Sequence, residues 1–325
     1  MTWVPEPPRQ EACFETLNKT LELGANFWNG GELYGAPDYN SLHLLNKYFT
    51  QYPENAQKVV LSIKGGLKVG QLVPDGSEEN IRRSVDNCLR LLDGKKKIDI
   101  FECARQDPKF PVEHTVGVLA QYVKEGKIGG IGLSEVDAET IRRAYVVTII
   151  DSLANLKLTK YLVTFRQKVH PIAAVEVEMS LWSTDILENG IAQTCAELNI
   201  PVIAYSPLGR GVMTGAVTSL ADIPENDIRR HMSRFQEENF QQNLKLINEV
   251  NSLAERKGVA PSQIALGWIR SLSNKPDMPT IIPIPGGTTI DKVVQNMVGV
   301  KLLSDEELAE IDVLLKEHTV AGPRY

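Results

Sequence analysis

The chain has 325 residues, of which 42% are hydrophobic and 23% are charged, and its formal net charge is −6. This length suits one large α/β barrel or two ordinary domains. The acidic balance disfavours nucleic acid or an anionic membrane as the main partner. No apolar run approaches the roughly 18 residues of a membrane span, and the first residues lack the basic head and apolar stretch of a signal peptide. The four scattered cysteines show no metal-binding spacing, so we expect buried thiols and a cytoplasmic protein, with the nucleus as a further location.

Short apolar runs alternate with amphipathic helical patterns along almost the whole chain. In chain order the patterns predict helix 11–23, strand 25–29, helix 39–52, strand 59–66, a helix capped by Ser77 that runs to residue 92, strand 98–104, helix 113–124, strand 128–134, a helix capped by Asp137 that runs to residue 144, strand 173–178, helix 188–198, strand 202–206, helix 261–271, strand 280–286 and helix 290–297. Two further helices, 241–256 and 304–317, lie outside this alternation.

Such an alternation predicts a parallel sheet with crossover helices. We count seven strands, whereas a closed barrel of this type has eight, and the chain begins almost where its first helix should start. The prediction is therefore a (β/α)8 TIM-type barrel that lacks its first strand, in a single domain over residues 1–325. A doubly wound open sheet is the alternative, but the Gly-x-Gly-x-x-Gly motif that it would need after its first strand is not placed there.

In a barrel the carboxyl ends of the strands meet at one mouth, where chemistry belongs. Asn29, Tyr34 and Lys64 fall at such ends. A phenol beside an ammonium can donate a proton to a forming alkoxide, because the ammonium favours phenolate. The alternatives are a tyrosine that packs under a surface loop, a solvated lysine, and a lysine that forms a Schiff base.

Two segments could bind anions. Residues 207–211 form a Gly-rich loop whose backbone N–H groups could wrap a pyrophosphate. Gly286 leads into a helix N-terminus, and Thr288 and Lys292 add a hydroxyl and a charge suited to a phosphate. The alternative for these two side chains is an ordinary helix surface.

Five motifs at the predicted strand ends are similar to those of aldo-keto reductases, and most closely to the pyridoxal reductase subgroup. They are residues 26–35, 98–102, 132–135, 204–211 and 283–286. The resemblance covers nearly the whole chain. It implies an (α/β)8 barrel that binds NADPH across its mouth and passes a hydride to a carbonyl group.

The resemblance also implies roles for single residues. Tyr34 matches the proton donor and Lys64 its partner, while the usual Asp and His positions hold Asn29 and Ala104. Without an Asp, we expect the Lys64 charge to be less compensated and to act more strongly on Tyr34. Ala104 removes a donor and opens space for a bulky aromatic aldehyde. Arg105 could reach into that space instead, although strand alternation points neighbouring side chains to opposite faces.

For the cofactor, the resemblance places the nicotinamide carboxamide near Ser134, with Glu135 beside it, and near Glu176, which stands where most of the family has Gln. Tyr205 matches the aromatic that stacks on the ring. The remaining matches form the pyrophosphate loop and the adenosine end, and they are Ser206, Pro207, Leu208, Gly209, Gly211, Gly286, Thr288, Lys292 and Asn296. The charge of Lys292 favours NADPH over NADH.

Residues 146–168 are an insertion where the resemblance implies a short connection. A late start codon and a retained intron would explain both this insertion and the missing strand, and an added helix and strand below the barrel is the alternative. The expected activity is reduction of an aldehyde or ketone, such as pyridoxal, by a monomer or weak homo-oligomer without nucleic-acid or membrane partners. The alternatives are a nucleotide-binding barrel with little activity and a truncated non-functional paralogue.

Overall fold

The structure, a computed structural model, describes residues 7–154 and 172–324. Its strands are β1 (Phe27–Gly31), β2 (Gly35–Ala36), β3 (Tyr39–Asn40), β4 (Val60–Gly65), β5 (Ile98–Cys103), β6 (Ile128–Ser134), β7 (Ile172–Glu178), β8 (Val202–Tyr205) and β9 (Ile281–Ile284). Its helices are α1 (Gln10–Glu22), α2 (Ser41–Gln51), α3 (Glu78–Leu92), α4 (Val112–Lys124), α5 (Ala138–Ala154), α6 (Ile191–Glu197), α7 (Glu237–Arg256), α8 (Pro261–Leu272), α9 (Ile290–Met297) and α10 (Asp305–Glu317).

Seven strands form one parallel sheet in the spatial order β1-β4-β5-β6-β7-β8-β9. Because this order follows the chain, each crossover returns beside the strand that it left. The sheet curves until its edge strands β1 and β9 lie next to each other, so the barrel is nearly closed. The predicted barrel of seven strands is confirmed, and the doubly wound alternative is wrong.

The apolar core has two layers. Side chains on the outer face of the sheet, such as Leu61 and Phe101, are fully buried against the helices. Inside the barrel a smaller cluster is centred on Ile100, Ala174 and Ile203. Because strand side chains alternate, the residues two positions further along β5 and β7 face the same interior and approach the mouth.

The first strand differs from the prediction. Residues 30 and 31 were expected to leave the sheet, but β1 runs to Gly31, and Gly30 and Gly31 pair with Ile63 and Lys64 of β4. The missing side chains let β1 pack closely, since a Cβ at Gly31 would lie 2.8 Å from the Lys64 carbonyl oxygen. The strand thus carries the chain two residues nearer to the mouth.

Several helix boundaries also differ. Helix α2 begins at Ser41 because the Asn40 side chain caps it and accepts from the Leu42 N–H at 3.0 Å. The predicted helix 188–198 begins later than expected: α6 follows Gly190, whose φ of 85° interrupts helical geometry, and a separate 3₁₀ turn ends at residue 187. Helix α5 continues to Ala154. The remainder of the predicted insertion, residues 155–168, lies outside the described residues.

The cysteine prediction is confirmed for three residues. Cys13, Cys88 and Cys195 are buried, whereas Cys103 is half-buried, and all four are free thiols. None of the helices within 7–154 and 172–324 combines the length and apolar character needed to span a membrane.

Candidate active site

Tyr34 lies in a tight turn directly after β1. Its N–H donates to the Gly31 carbonyl at 3.2 Å, and its own carbonyl accepts from the Ser41 N–H at 2.9 Å. The Ser41 hydroxyl also bonds to both backbone groups of Gly31, at 2.8 and 2.9 Å. The start of α2 therefore fixes the turn that presents Tyr34.

A polar network ties this turn to the end of β4. The Glu32 carboxylate accepts from Ser84, from Arg83 at 3.2 Å and from Asn87 at 3.1 Å, all on α3. The Ser84 hydroxyl in turn accepts from the Gly66 N–H at 2.8 Å. Helix α3 thus holds the two strand ends that carry the candidate proton donor and its lysine at a fixed separation.

Lys64 is buried at the centre of the site, with only 4% of its surface exposed. Its Nζ lies 2.6 Å from Glu176 Oε1 and 3.9 Å from Glu102 Oε1. The other oxygen of Glu176 accepts from the Asn29 amide at 2.8 Å. The ammonium also lies 5.1 Å from the ring centroid of Tyr205, within cation–π range. Lys64 therefore lies among side chains from β5, β7 and β8, and Glu176 links it to Asn29 of β1.

The expectation of an under-compensated lysine is wrong. Burial lowers the pKa of Lys64, but the charges of Glu102 and Glu176 outweigh burial and raise that pKa above its ordinary value. Burial raises the pKa of the Glu102 carboxyl well above its usual range, and the Glu176 charge adds to the effect. Sequence reasoning assigned Glu102 no role; an acid in a buried apolar strand was the available signal.

The phenol of Tyr34 is held protonated at neutral pH. Burial raises its pKa to about 12, although Lys64 lowers it. The expected effect of the lysine on the phenol is present, but it is smaller than the effect of burial. Arg105 also lowers this pKa, so its charge reaches the site even though its Nη1 donates to the Ala104 carbonyl at 2.7 Å. Ala104 itself is buried.

The predicted nicotinamide residues lie at the ends of β6, β7 and β8. Ser134 is buried, and its hydroxyl has no hydrogen-bond partner among the described residues. Ser134 is also the register partner of Glu176. Glu135 and Ser206 adopt left-handed backbone conformations, with φ of 53° and 50°. Such strain in residues other than glycine is concentrated at functional sites.

The loop after β8 is partly closed on itself. The N–H groups of Gly209 and Gly211 donate to the carbonyls of Ser206 and Leu208, at 2.9 and 3.0 Å, so both amides are already engaged. Pro207 is buried beside them. The loop is anchored because the Arg210 guanidinium donates to the buried Glu178 carboxylate at 2.9 Å.

The third predicted group surrounds the start of α9. Lys292 Nζ donates to the Thr288 hydroxyl at 3.2 Å, and the Asn296 amide donates to the Gly286 carbonyl at 3.3 Å. Lys292 is exposed, so its charge is available to an anion.

The sheet order brings these groups together. Tyr34, Lys64 and Asn29 surround Glu176, and the predicted cofactor residues follow on the adjoining strand ends. Sequence reasoning missed two ion pairs at the mouth, Glu178 with Arg210 and Glu135 with Arg324. For both ion pairs, the signal available in the sequence was an acidic residue at the end of a buried strand. No cluster of three or more metal-ligating side chains occurs in the part of the chain that the structure describes.

Comparison with known proteins agrees with this arrangement. The family described as "Aldo/keto reductase family" matches residues 1–316. The chain belongs to the aldo/keto reductase family.

Two yeast relatives of this reductase chain carry more specific names. "Probable pyridoxal reductase 2" of Schizosaccharomyces pombe is 40% identical, over 100% of this chain and 92% of that protein. "Putative pyridoxal reductase" of Saccharomyces cerevisiae is 38% identical, over 100% of this chain and 93% of that protein. The expected resemblance is confirmed.

Solved structures support the fold of the chain. The glycerol dehydrogenase of Gluconobacter oxydans matches with a TM-score of 0.76 and 24% identity, over 99% of this chain and 90% of that chain. A thermostable aldo-keto reductase solved with the inhibitor epalrestat matches with a TM-score of 0.66 and 20% identity, over 96% of this chain and 90% of that chain.

Proposed function

We propose that this oxidoreductase uses NADPH to reduce an aldehyde or ketone to an alcohol, with pyridoxal and similar aromatic aldehydes as the substrate class. The observation that carries the proposal is the electrostatic coupling of a protonated phenol, Tyr34, to a buried ammonium, Lys64, at the mouth of the barrel. The names of the two yeast relatives support the substrate class.

The residues present fit a nicotinamide nucleotide. The buried Ser134 hydroxyl lacks a partner among the described residues and can donate to a carboxamide oxygen. Glu176 would accept from the carboxamide nitrogen, and Tyr205 would stack on the ring. The parts of the loop 206–211 other than the engaged amides of Gly209 and Gly211 would hold the phosphates together with the group at the start of α9. Lys292 and Thr288 would contact the 2′-phosphate that distinguishes NADPH from NADH.

Bound NADPH would supply a hydride to the carbonyl carbon of the substrate. Tyr34 donates its phenolic proton to the carbonyl oxygen, which becomes the hydroxyl of the alcohol. The Lys64 ammonium stabilises the phenolate that remains, because it favours the charged form. The small side chain of Ala104 would leave space for an aromatic ring beside the reacting carbonyl, and the charge of Arg105, which acts on Tyr34, would also act on a substrate oxygen next to that phenol.

We also propose a single catalytic domain in a cytoplasmic monomer or weak homo-oligomer, with a small carbonyl compound as its partner. The free state of all four thiols supports a reducing compartment. The net charge of −6 disfavours nucleic acid.

The test is an NADPH fluorescence titration followed by a screen of aldehydes that includes pyridoxal. We expect saturable NADPH binding, and NADPH oxidation that depends on the aldehyde and yields the corresponding alcohol. Stoichiometric binding without oxidation by any aldehyde would contradict the proposal and favour a nucleotide-binding barrel. A protein without a cooperative melting transition would instead support a non-functional truncation.

A further inference from the structure

Asn29 and Glu176 form a buried pair in which an amide meets a carboxylate. The Asn29 amide donates to Glu176 Oε2 at 2.8 Å, while Glu176 Oε1 lies 2.6 Å from Lys64 Nζ. Glu176 and Lys64 are only 1% and 4% exposed. Water therefore cannot compensate the ammonium, and a neutral amide cannot do so either.

Two carboxylates are close enough to act on Lys64, but they do not act equally. Glu102 Oε1 is 3.9 Å from the ammonium, which is beyond hydrogen-bond distance. Glu176 is in direct ion-pair contact and uses both of its oxygens. The shorter contact and the second anchor make Glu176 the residue that fixes the position of the charge.

We infer that Glu176 is the positioning residue for Lys64: its carboxylate, anchored by Asn29, holds the ammonium within electrostatic reach of Tyr34 and sets how readily the phenol releases its proton. This inference rests on the proposed function for its role in turnover. It gives Glu176 a task beyond the predicted contact with the carboxamide.

Four charged groups on three elements act on the Tyr34 phenol. Lys64 on β4 and Arg105 after β5 favour the phenolate, whereas Glu102 on β5 and Glu176 on β7 disfavour it. Replacing Glu176 by glutamine removes one negative charge and leaves the lysine less compensated. Tyr34 should then ionise at lower pH.

The experiment follows the tyrosinate absorbance of the free protein as the pH is raised, without cofactor or substrate. Subtracting the titration of Tyr34→Phe isolates the Tyr34 signal. In the wild type we expect the midpoint near the pKa of about 12. In Glu176→Gln we expect it lower by about one unit or more. In the double variant Asn29→Asp with Glu176→Gln, the amide and the carboxylate exchange positions, so the negative charge is restored. We expect the Tyr34 midpoint to move back up.

Glu178→Gln is the matched control. Glu178 lies on the same strand and is equally buried, but its carboxylate faces Arg210 rather than Lys64. We expect this variant to leave the Tyr34 midpoint unchanged, and Glu102→Gln to shift it less than Glu176→Gln. Equal midpoints in the wild type and Glu176→Gln would overturn the inference, as would a larger shift in Glu102→Gln or Glu178→Gln.

Nucleotide binding and turnover give a second readout. Removal of the Glu176 charge alone makes the phenol a stronger acid and gives no reason for slower turnover. If Glu176 also holds the Lys64 ammonium in place, Glu176→Gln should lower kcat more than about tenfold, because the ammonium is then misplaced, while the Kd for NADPH changes less than about threefold. The reverse split, a large rise in Kd with kcat unchanged, would overturn the inference and leave Glu176 as a carboxamide contact only. If the wild type reduces no aldehyde, the proposed function fails, and the titration of the free protein still decides the role of Glu176.

Discussion

Replacing Lys64 by methionine removes the cation from a buried cluster of two acids and one phenol. The methionine keeps most of the apolar volume of the side chain but leaves Glu176 and Glu102 without the ammonium that now lies 2.6 and 3.9 Å from them. Because both acids are 1% exposed, water cannot take its place. We expect this variant to be destabilised, and to be destabilised most at alkaline pH.

The magnitude follows from the distances. At an effective dielectric constant of about 20, the 2.6 Å contact corresponds to about 6 kcal/mol of Coulomb attraction. Because methionine carries no charge, folding of the variant does not require removal of an ammonium from water, and this gain offsets part of the lost attraction. Breaking a buried ion pair from one side typically lowers the free energy of unfolding by about 3–5 kcal/mol, and we expect that range for Lys64→Met near pH 8.

The pH dependence separates this effect from simple loss of packing. In the wild type the folded-state pKa of Lys64 is raised, so its stabilisation is fully present below the ordinary lysine pKa of about 10.4 and is constant from about pH 5 to 9. The pKa of Glu102 is already raised, and Lys64 lowers it. Without Lys64, the pKa of Glu102 in the folded protein rises further. The protonated carboxyl then stabilises the fold below the ordinary glutamate pKa, and this stabilisation is lost as the pH rises through the pKa of the folded state. The deficit should therefore be smaller near pH 5 than near pH 8.

Denaturant unfolding followed by circular dichroism at several pH values measures this deficit. Lys96→Met is the matched control, since Lys96 contacts Asp99 at the same 2.6 Å but the Asp99 side chain is 34% exposed. Water can solvate Asp99 in that variant, so we expect a smaller loss that does not change between about pH 5 and 9. A Lys64→Met deficit equal to that of the control, or one that is the same at every pH, would show that the buried acids do not depend on the Lys64 charge.

Three further changes test the remaining parts of the site. Ser134→Ala removes a hydroxyl without a partner among the described residues, so the free energy of unfolding should change by less than about 0.5 kcal/mol while the Kd for NADPH rises about five- to tenfold; an unchanged Kd in fluorescence titration would contradict the assignment. Lys292→Gln should raise the Kd for NADPH about tenfold and leave that for NADH unchanged; equal losses for both nucleotides would argue against a 2′-phosphate contact. Gly65→Ala would place a Cβ 2.2 Å from Ser84 Oγ, so we expect a loss of about 2 kcal/mol in denaturant unfolding, and wild-type stability would count against the close packing.

The sequence predicts the strands of the barrel well, because they are apolar runs bounded by turn residues. The predicted boundaries of strands and helices were less accurate where the same residues are compatible with two kinds of local structure. The glycines at 30 and 31 suggest a loop, yet they form the end of β1 because β4 packs against them too closely for a side chain. The capping role of Asn40 was also hidden, since Tyr39 begins the apolar pattern but belongs to β3.

The candidate site could be predicted residue by residue but not as an electrostatic unit. Tyr34 and Lys64 were found from their places at strand ends, and the structure brings them together. The balance of charge around them was wrongly predicted, because it depends on which acids face the barrel interior at the level of Lys64. That depends on register: Lys64 pairs with Glu102, and Ser134 pairs with Glu176. Register between distant strands is not written in any local pattern.

Turnover of the Tyr34→Phe variant is the sharpest test of proton donation by Tyr34, since only the phenolic oxygen is lost. With NADPH and an aldehyde that the wild type reduces, we predict that kcat/KM falls by about 10²- to 10⁴-fold while the Kd for NADPH stays within about twofold. Tyr39→Phe, a neighbouring tyrosine that stacks on His43, should behave as the wild type. A Tyr34→Phe protein that turns over at the wild-type rate would contradict the account.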